Sequence, residues 1–206
     1  MNNSNVILIG YSGHAYVAAE IFLLMSYKVV GYIDKNESTN NPFGLAYLGN
    51  DENFDKIKHK GTKFFTAIGD NALRNKLSEK YAAQGFEFTN AIHPSAILSK
   101  NITISTNILI GAQCVIQSGS VIEEGVICNT GSIIEHECTL KKYAHIAPSS
   151  TLCGNVTIGE KSIIGAGSIV IPNTVIGNNV IVGAGSVIIK NIDDNKKVAG
   201  NPARTI

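Results

Sequence analysis

The 206-residue chain is poor in charge, and what charge it has is balanced. Charged side chains make up 16% of the sequence, 17 Lys and Arg against 16 Asp and Glu, so no basic surplus exists to hold a nucleic-acid backbone. Long apolar runs are missing too: none approaches the roughly 18 residues a membrane-spanning helix needs. The first residues, Met1 to Asn5, are polar and carry none of the basic side chains that open a secretory signal, which predicts a soluble cytoplasmic protein. Cysteine is sparse. Cys114, Cys128, Cys138 and Cys153 show no C-x-x-C spacing, which argues against a zinc or disulfide framework and for small buried apolar side chains. With 44% apolar residues, however, the chain can build a real core.

The second half is an unbroken repeat of six. Cut from Ala96, the sequence falls into sixteen hexads without an insertion (AILSKN, ITISTN, ILIGAQ and so on to SVIIKN, ending at Asn191). The third position is aliphatic in every hexad except one, where Cys128 stands. Six residues advance an α-helix by about one and two-thirds turns, which would scatter that position round the cylinder, so the period excludes an amphipathic helix. It suits a coil of short parallel strands, three hexads to a turn of eighteen residues, stacking like on like into an aliphatic core. Sixteen hexads make between five and six turns, a prism about 25 Å tall. Small first-position residues such as Ser120, Ser132, Ala144 and Ser162 fit the tight corners.

Residues 1–93 carry no such repeat and read as alternating strand and helix. Val6 to Ile9 is a short buried strand, Gly10-Tyr11-Ser12-Gly13-His14 a glycine turn, Ala15 to about Met25 a helix, and Val29 to Ile33 a second strand closing on Asp34. A third strand is expected from Phe64 to Ile68, running into Gly69, and a second helix from Ala72 to Gln84. Together these form a small parallel α/β domain. A glycine turn between strand and helix lets a ligand approach the backbone, and the helix start favours an anion there. The dinucleotide pattern G-x-G-x-x-G is not met, since Ser12 and Ala15 occupy its second and third glycine positions, although Asp34 stands about where a ribose-binding acid would. Asp34, Lys35 and Gly69 fall at the carboxyl ends of strands, where open α/β sheets place ligands.

Within the repeat, Glu135-His136-Glu137 sets an imidazole between carboxylates in an otherwise sparsely charged coil. A neighbouring carboxylate is expected to orient the ring of His136, the environment of a general base. His145 follows nine residues later, half of an eighteen-residue turn, and the two are expected to flank one groove. They are the only histidines in the coil. A hydration-type zinc site needs three imidazoles, so no metal is expected.

These residues carry a resemblance. The hexads resemble the left-handed parallel β-helix of the hexapeptide acyltransferases, and the G-x-S-G-H turn with strand-ending Asp34 resembles the sugar O-acyltransferase family of the NeuD and PglD type. Further marks are Asn129 seven residues before His136, the run Ile134 to Cys138, Gly154-Asn155-Val156 and the closing Val198-Ala199-Gly200-Asn201-Pro202-Ala203. The resemblance implies a small Rossmann-like α/β domain over 1–93, a left-handed β-helix over 94–206, and a homotrimer with active sites between neighbouring coils. It implies transfer of an acetyl group from acetyl-CoA to a nucleotide-linked amino sugar, a UDP-4-amino-4,6-dideoxy sugar, in surface glycan synthesis. On matching positions His136 is then the base, Glu137 tunes it, and the backbone N–H of Gly154 stabilises the oxyanion. His145, Gly154, Ala166 and Ala184 face acetyl-CoA; Ser12, Gly13, His14, Asp34, Lys35 and Gly69 hold the nucleotide-sugar, and Asn129 touches its sugar. The competing readings are a sialic acid O-acetyltransferase and a non-catalytic sugar-binding β-helix.

Overall fold

The computed structural model describes residues 4–50, 52–55 and 57–206. Met1, Asn2 and Asn3, on which part of the reading of the N-terminus rests, lie outside the described residues. The chain forms two compact units, Met1–Pro94 and Ser95–Ile206.

The first unit is built on β1 (Asn5–Ile9), α1 (Gly13–Leu24), β2 (Lys28–Ile33), β3 (Ala46–Tyr47), β4 (Lys63–Thr66) and α2 (Asn71–Ala83). The four strands make one sheet in the order β3-β2-β1-β4 with every pairing parallel. Because β1 is central and covered on both faces, Val6 to Ile9 is continuously apolar and buried rather than alternating. Ile7, Ile9, Ile33, Phe64, Tyr81 and Phe86 form a core cluster, while α1 buries Ala15, Ala18, Ala19, Ile21 and Phe22. The helix α1 starts two residues earlier than the sequence suggested, because the Ser12 carbonyl already accepts from the Tyr16 N–H at 3.1 Å. β4 stops at Thr66 rather than Ile68, and the carbonyls of Ile68 and Gly69 turn instead toward the Arg74 guanidinium. Asp70 caps α2 by accepting from the Leu73 N–H. The edge strand β3 was not expected.

A short strand, β5 (Ala91–Ile92), ends the first unit, and in the second sixteen two-residue strands follow one another, one per hexad, from β6 (Ile97–Leu98) to β21 (Val187–Ile188). Every third strand joins the same sheet, so the coil has three faces. Face one contains β12 (Ile133–Ile134) and β15 (Thr151–Leu152), face two β13 (Thr139–Leu140), and face three β11 (Ile127–Cys128), β14 (His145–Ile146) and β20 (Ile181–Val182). Partners are eighteen residues apart and in register, as in Ile127↔His145 and Ile133↔Thr151. From Ile110 to Ile188 all third-position side chains are buried, each contributing about 1.5–3 kcal/mol if fully withdrawn from water. Leu98 and Ile104, in the first turn, are half-buried. The top is closed by β22 (Lys197–Gly200), which continues face three beside β20 and folds back antiparallel on β23 (Ala203–Thr205).

The corners are more specific than small first-position residues alone. In fourteen consecutive hexads, from Asn107 to Gly185, the sixth residue has a left-handed backbone, which explains the frequency of Gly and Asn there. The first-position serines close the next turn rather than merely fitting. Ser162 Oγ donates to the Gly177 carbonyl at 2.6 Å and accepts from the Val180 N–H at 2.8 Å; Ser120 and Ser168 do the same one turn above themselves. Cys114, Cys128 and Cys138 are buried as expected, but Cys153 is only half-buried. Burial pushes the Cys138 thiol up to about 11.

Candidate active site

In the α/β unit, β1 is the point where the connections diverge to β2 on one side and β4 on the other, the usual crevice for a ligand in an open parallel sheet. Gly10 has φ 90°, and a Cβ there would fall 2.2 Å from Ile68 Cδ1, so glycine is required by both backbone and space. A cavity of about 460 Å³ opens beside it, lined by Gly10, Asp34, Lys35 and Ile68 together with Leu73 and Leu77 of α2. Of the residues singled out in the sequence, Asp34 and Lys35 line this cavity; Ser12, Gly13, His14 and Gly69 do not. Gly69 lies against His14, where a Cβ would be 3.9 Å from the His14 Cβ. The Asp34 carboxylate pins the glycine turn to the end of β2: Oδ2 accepts from the Tyr11 N–H at 2.8 Å and Oδ1 from the Lys35 N–H at 2.6 Å.

His14 is held neutral. Burial, and next the charge of Arg74, lower its pKa to about 4, and its Nε2 is buried without a hydrogen-bond partner. Arg74 is 1% exposed and donates to the carbonyls of Ile68 and Gly69 and to Asn71 Oδ1. The sequence reading missed Arg74. Its signal was rarity: the chain has two arginines, and this one follows the helix cap Asp70 by one turn.

In the coil, His136 stands at the corner between faces one and two, on the turn joining β12 to β13. Its side chain is 60% exposed, and Nδ1 lies 3.0 Å from Oε2 of Glu137, itself 69% exposed. Of the two flanking carboxylates, Glu137 is the one that reaches the ring. With Nδ1–H donating to that carboxylate, Nε2 is the nitrogen left to accept a proton. The next turn holds the pair in place: the Asn155 N–H donates to the His136 carbonyl at 2.8 Å, and Gly154, eighteen residues on, packs against the imidazole from above. The Gly154 N–H finds no acceptor among the described residues.

His145 is elsewhere. It lies on face three, opposite the His136 corner, so the expectation that both flank one groove is corrected for a single coil: half a turn of a three-sided prism leads from a corner to the far face. Asn129 is on the His145 side. Its Oδ1 accepts from the Thr130 N–H at 2.8 Å, which turns its NH₂ toward His145 Nε2 at 3.2 Å. Ala166 and Ala184 are exposed one above the other at the corner between faces three and one, tied by the Gly185 N–H to Ala166 carbonyl bond. One chain therefore presents His136, Glu137 and Gly154 on one corner and Asn129, Ala166 and Ala184 on another. Among the described residues no group of three His, Cys, Asp or Glu is placed to hold a metal.

Residues 5–81 match the PglD N-terminal domain, and residues 155–190 match the bacterial transferase hexapeptide (six repeats). Over 98% of the chain the structure superimposes with a TM-score of 0.93 and 35% identity on 97% of PerB from Caulobacter crescentus, solved in complex with CoA and GDP-perosamine. The chain belongs to the PglD-like sugar N-acetyltransferases. A second member, the acetyltransferase domain of PglB from Neisseria gonorrhoeae FA1090 in complex with acetyl coenzyme A, matches over 100% of both chains with a TM-score of 0.91 and 33% identity. The UDP-N-acetylbacillosamine N-acetyltransferase of Bacillus subtilis is 34% identical over 103 residues, 48% of this chain and 48% of that protein. The chain spans about half the length of the curated relatives it matches. Like its PglD-like relatives the chain joins a parallel α/β unit to a parallel β-solenoid, and no described helix is long and apolar enough to cross a membrane.

Proposed function

We propose that this chain transfers the acetyl group of acetyl-CoA to the amine of a nucleotide-linked amino sugar, a UDP-4-amino-4,6-dideoxy sugar, in cytoplasmic assembly of a surface glycan. The observation that carries the reading is the exposed corner where His136 Nδ1 is engaged by Glu137 and an N–H without an acceptor, that of Gly154, lies beside the ring. The amine nitrogen attacks the thioester carbonyl while its proton passes to His136 Nε2. Glu137 holds the tautomer and offsets the imidazolium charge. The Gly154 N–H donates to the oxyanion of the tetrahedral intermediate. Collapse breaks the C–S bond, and the proton on Nε2 goes to the departing CoA thiolate, so no covalent enzyme intermediate forms.

His145, Ala166 and Ala184 contact acetyl-CoA, and Asn129 contacts the sugar. Since these residues occupy a different side of the coil from His136, the reading requires a second copy: the His136 corner of one chain meets the Ala166 and Ala184 corner of its neighbour in a homotrimer. In the α/β unit, Asp34 and Lys35 at the cavity and Ser12, Gly13, His14 and Gly69 around the adjoining turn hold the nucleotide-sugar. Support comes from PerB, whose structure holds CoA and GDP-perosamine, and from the B. subtilis relative named for a UDP-linked sugar. The test is release of free thiol from acetyl-CoA against UDP-amino sugars, GDP-amino sugars and free sialic acids. Turnover on the UDP-amino sugar supports the reading; turnover confined to sialic acid overturns it.

A further inference from the structure

The fifth residue of each hexad sits on a corner, and in the sixteen hexads it is Lys, Thr, Ala, Ser, Glu, His, Pro or Asn, but glycine once, at Gly154. The backbone does not ask for glycine there, because Gly154 is not among the residues of positive φ. The backbone of the neighbouring turns does not ask for it either. At Gly111, Gly159 and Gly165, fourth-position glycines, an added Cβ would meet the backbone of the next turn at 2.3 to 2.6 Å. At Gly154 the three nearest atoms all belong to one imidazole: His136 Cε1 at 2.4 Å, Nε2 at 2.5 Å and Nδ1 at 3.1 Å. A methyl group cannot share that space with the ring.

We infer that Gly154 is a positioning residue whose missing side chain lets the His136 imidazole lie across the next turn with Nδ1 on Glu137, a role separate from any hydrogen bond its N–H makes. The inference rests on the reading of His136 as the base. Gly119, one turn below the carboxylate, is different: its φ of 79° already favours glycine, and a Cβ there would be 3.2 Å from Glu137 Cγ. The histidine rotamer is thus set by an empty place above the ring. Displacing the ring by the width of a methyl group moves Nε2 off the line of attack, and a misplacement of about 1 Å costs about 100-fold in rate.

The test is Gly154→Ala, which keeps the backbone N–H and adds only the methyl group. The expected result is a fall in kcat of about 100-fold with KM for both substrates within about threefold, and H136A/G154A no slower than H136A, since the methyl group acts only through the ring. A kcat within about twofold of the parent, or a double variant clearly slower than H136A, overturns the inference. If G154A alone fails to fold, a parental melting temperature for H136A/G154A supports the inference, and failure of both overturns it. A crystal structure of G154A decides the matter independently of catalysis. Loss of the Nδ1 to Oε2 contact supports the inference and a ring left in place overturns it, even should H136A prove fully active and the base assignment fail.

Discussion

Mixing two inactive chains should restore activity if the site is shared between copies. His136 and Glu137 stand at the corner between faces one and two, whereas Ala184 stands at the corner between faces three and one. The perturbations are His136→Ala, which removes the proton acceptor, and Ala184→Trp, which fills the second corner. Fifth-position corners accept large side chains elsewhere, Lys142, Glu160 and Pro172 among them, so A184W has room to fold. Either homotrimer alone should keep no more than about 1% of parental turnover. In a trimer assembled at random from equal amounts, each shared site draws its His136 corner from one chain and its Ala184 corner from the next. Purification on two different tags keeps only mixed trimers, and in each of these one site of the three pairs the His136 corner of an A184W chain with the Ala184 corner of an H136A chain, so the purified chains should show about one third of parental turnover. Thiol release after tandem affinity purification reads it. Mixed trimers as inactive as the two parents would refute the shared site, as would a fully active A184W homotrimer.

Ser162→Ala removes a hydroxyl that closes a turn, leaving the Gly177 carbonyl and the Val180 N–H without it; the loss should be about 2 kcal/mol by chemical denaturation, while exposed Ser118→Ala should change stability by less than about 0.5 kcal/mol. Equal losses would contradict the role assigned to the buried serines. His14 makes stability depend on pH. Its ordinary value is 6.5 and the folded value about 4, so between these the unfolded chain binds the proton and the folded one does not. The His14 contribution is therefore neutral above pH 6.5 and destabilises progressively as pH falls toward 4, reaching about 3 kcal/mol there. Denaturant midpoints of H14N should lack that part of the slope, and a parental slope in H14N would contradict it.

The coil was legible because its signal is redundant: each third-position aliphatic stacks on the one eighteen residues away, so the period alone dictates the core. The corner geometry was less so. Tyr143, Lys161 and Gln113 adopt left-handed backbone at sixth positions as readily as Gly131 does, and nothing in their chemistry announces it. The His136 and Glu137 pair was readable as adjacent charges. Its separation from His145 was also implicit in the spacing, since nine residues is half a turn and half a turn of a prism leads to the opposite side. Arg74 and the strand Ala46–Tyr47 escaped because each acts through tertiary contacts: a buried guanidinium bridging two carbonyls, and a two-residue edge too short to show a period.

Most direct is the comparison of H136A with the parent in the thiol-release assay, with acetyl-CoA and a UDP-4-amino-4,6-dideoxy sugar at saturation. The account predicts steady CoA release by the parent and a fall of about 100- to 10,000-fold in kcat for H136A. Parental turnover by H136A, or a parent that releases no CoA with any nucleotide-linked amine, would contradict it.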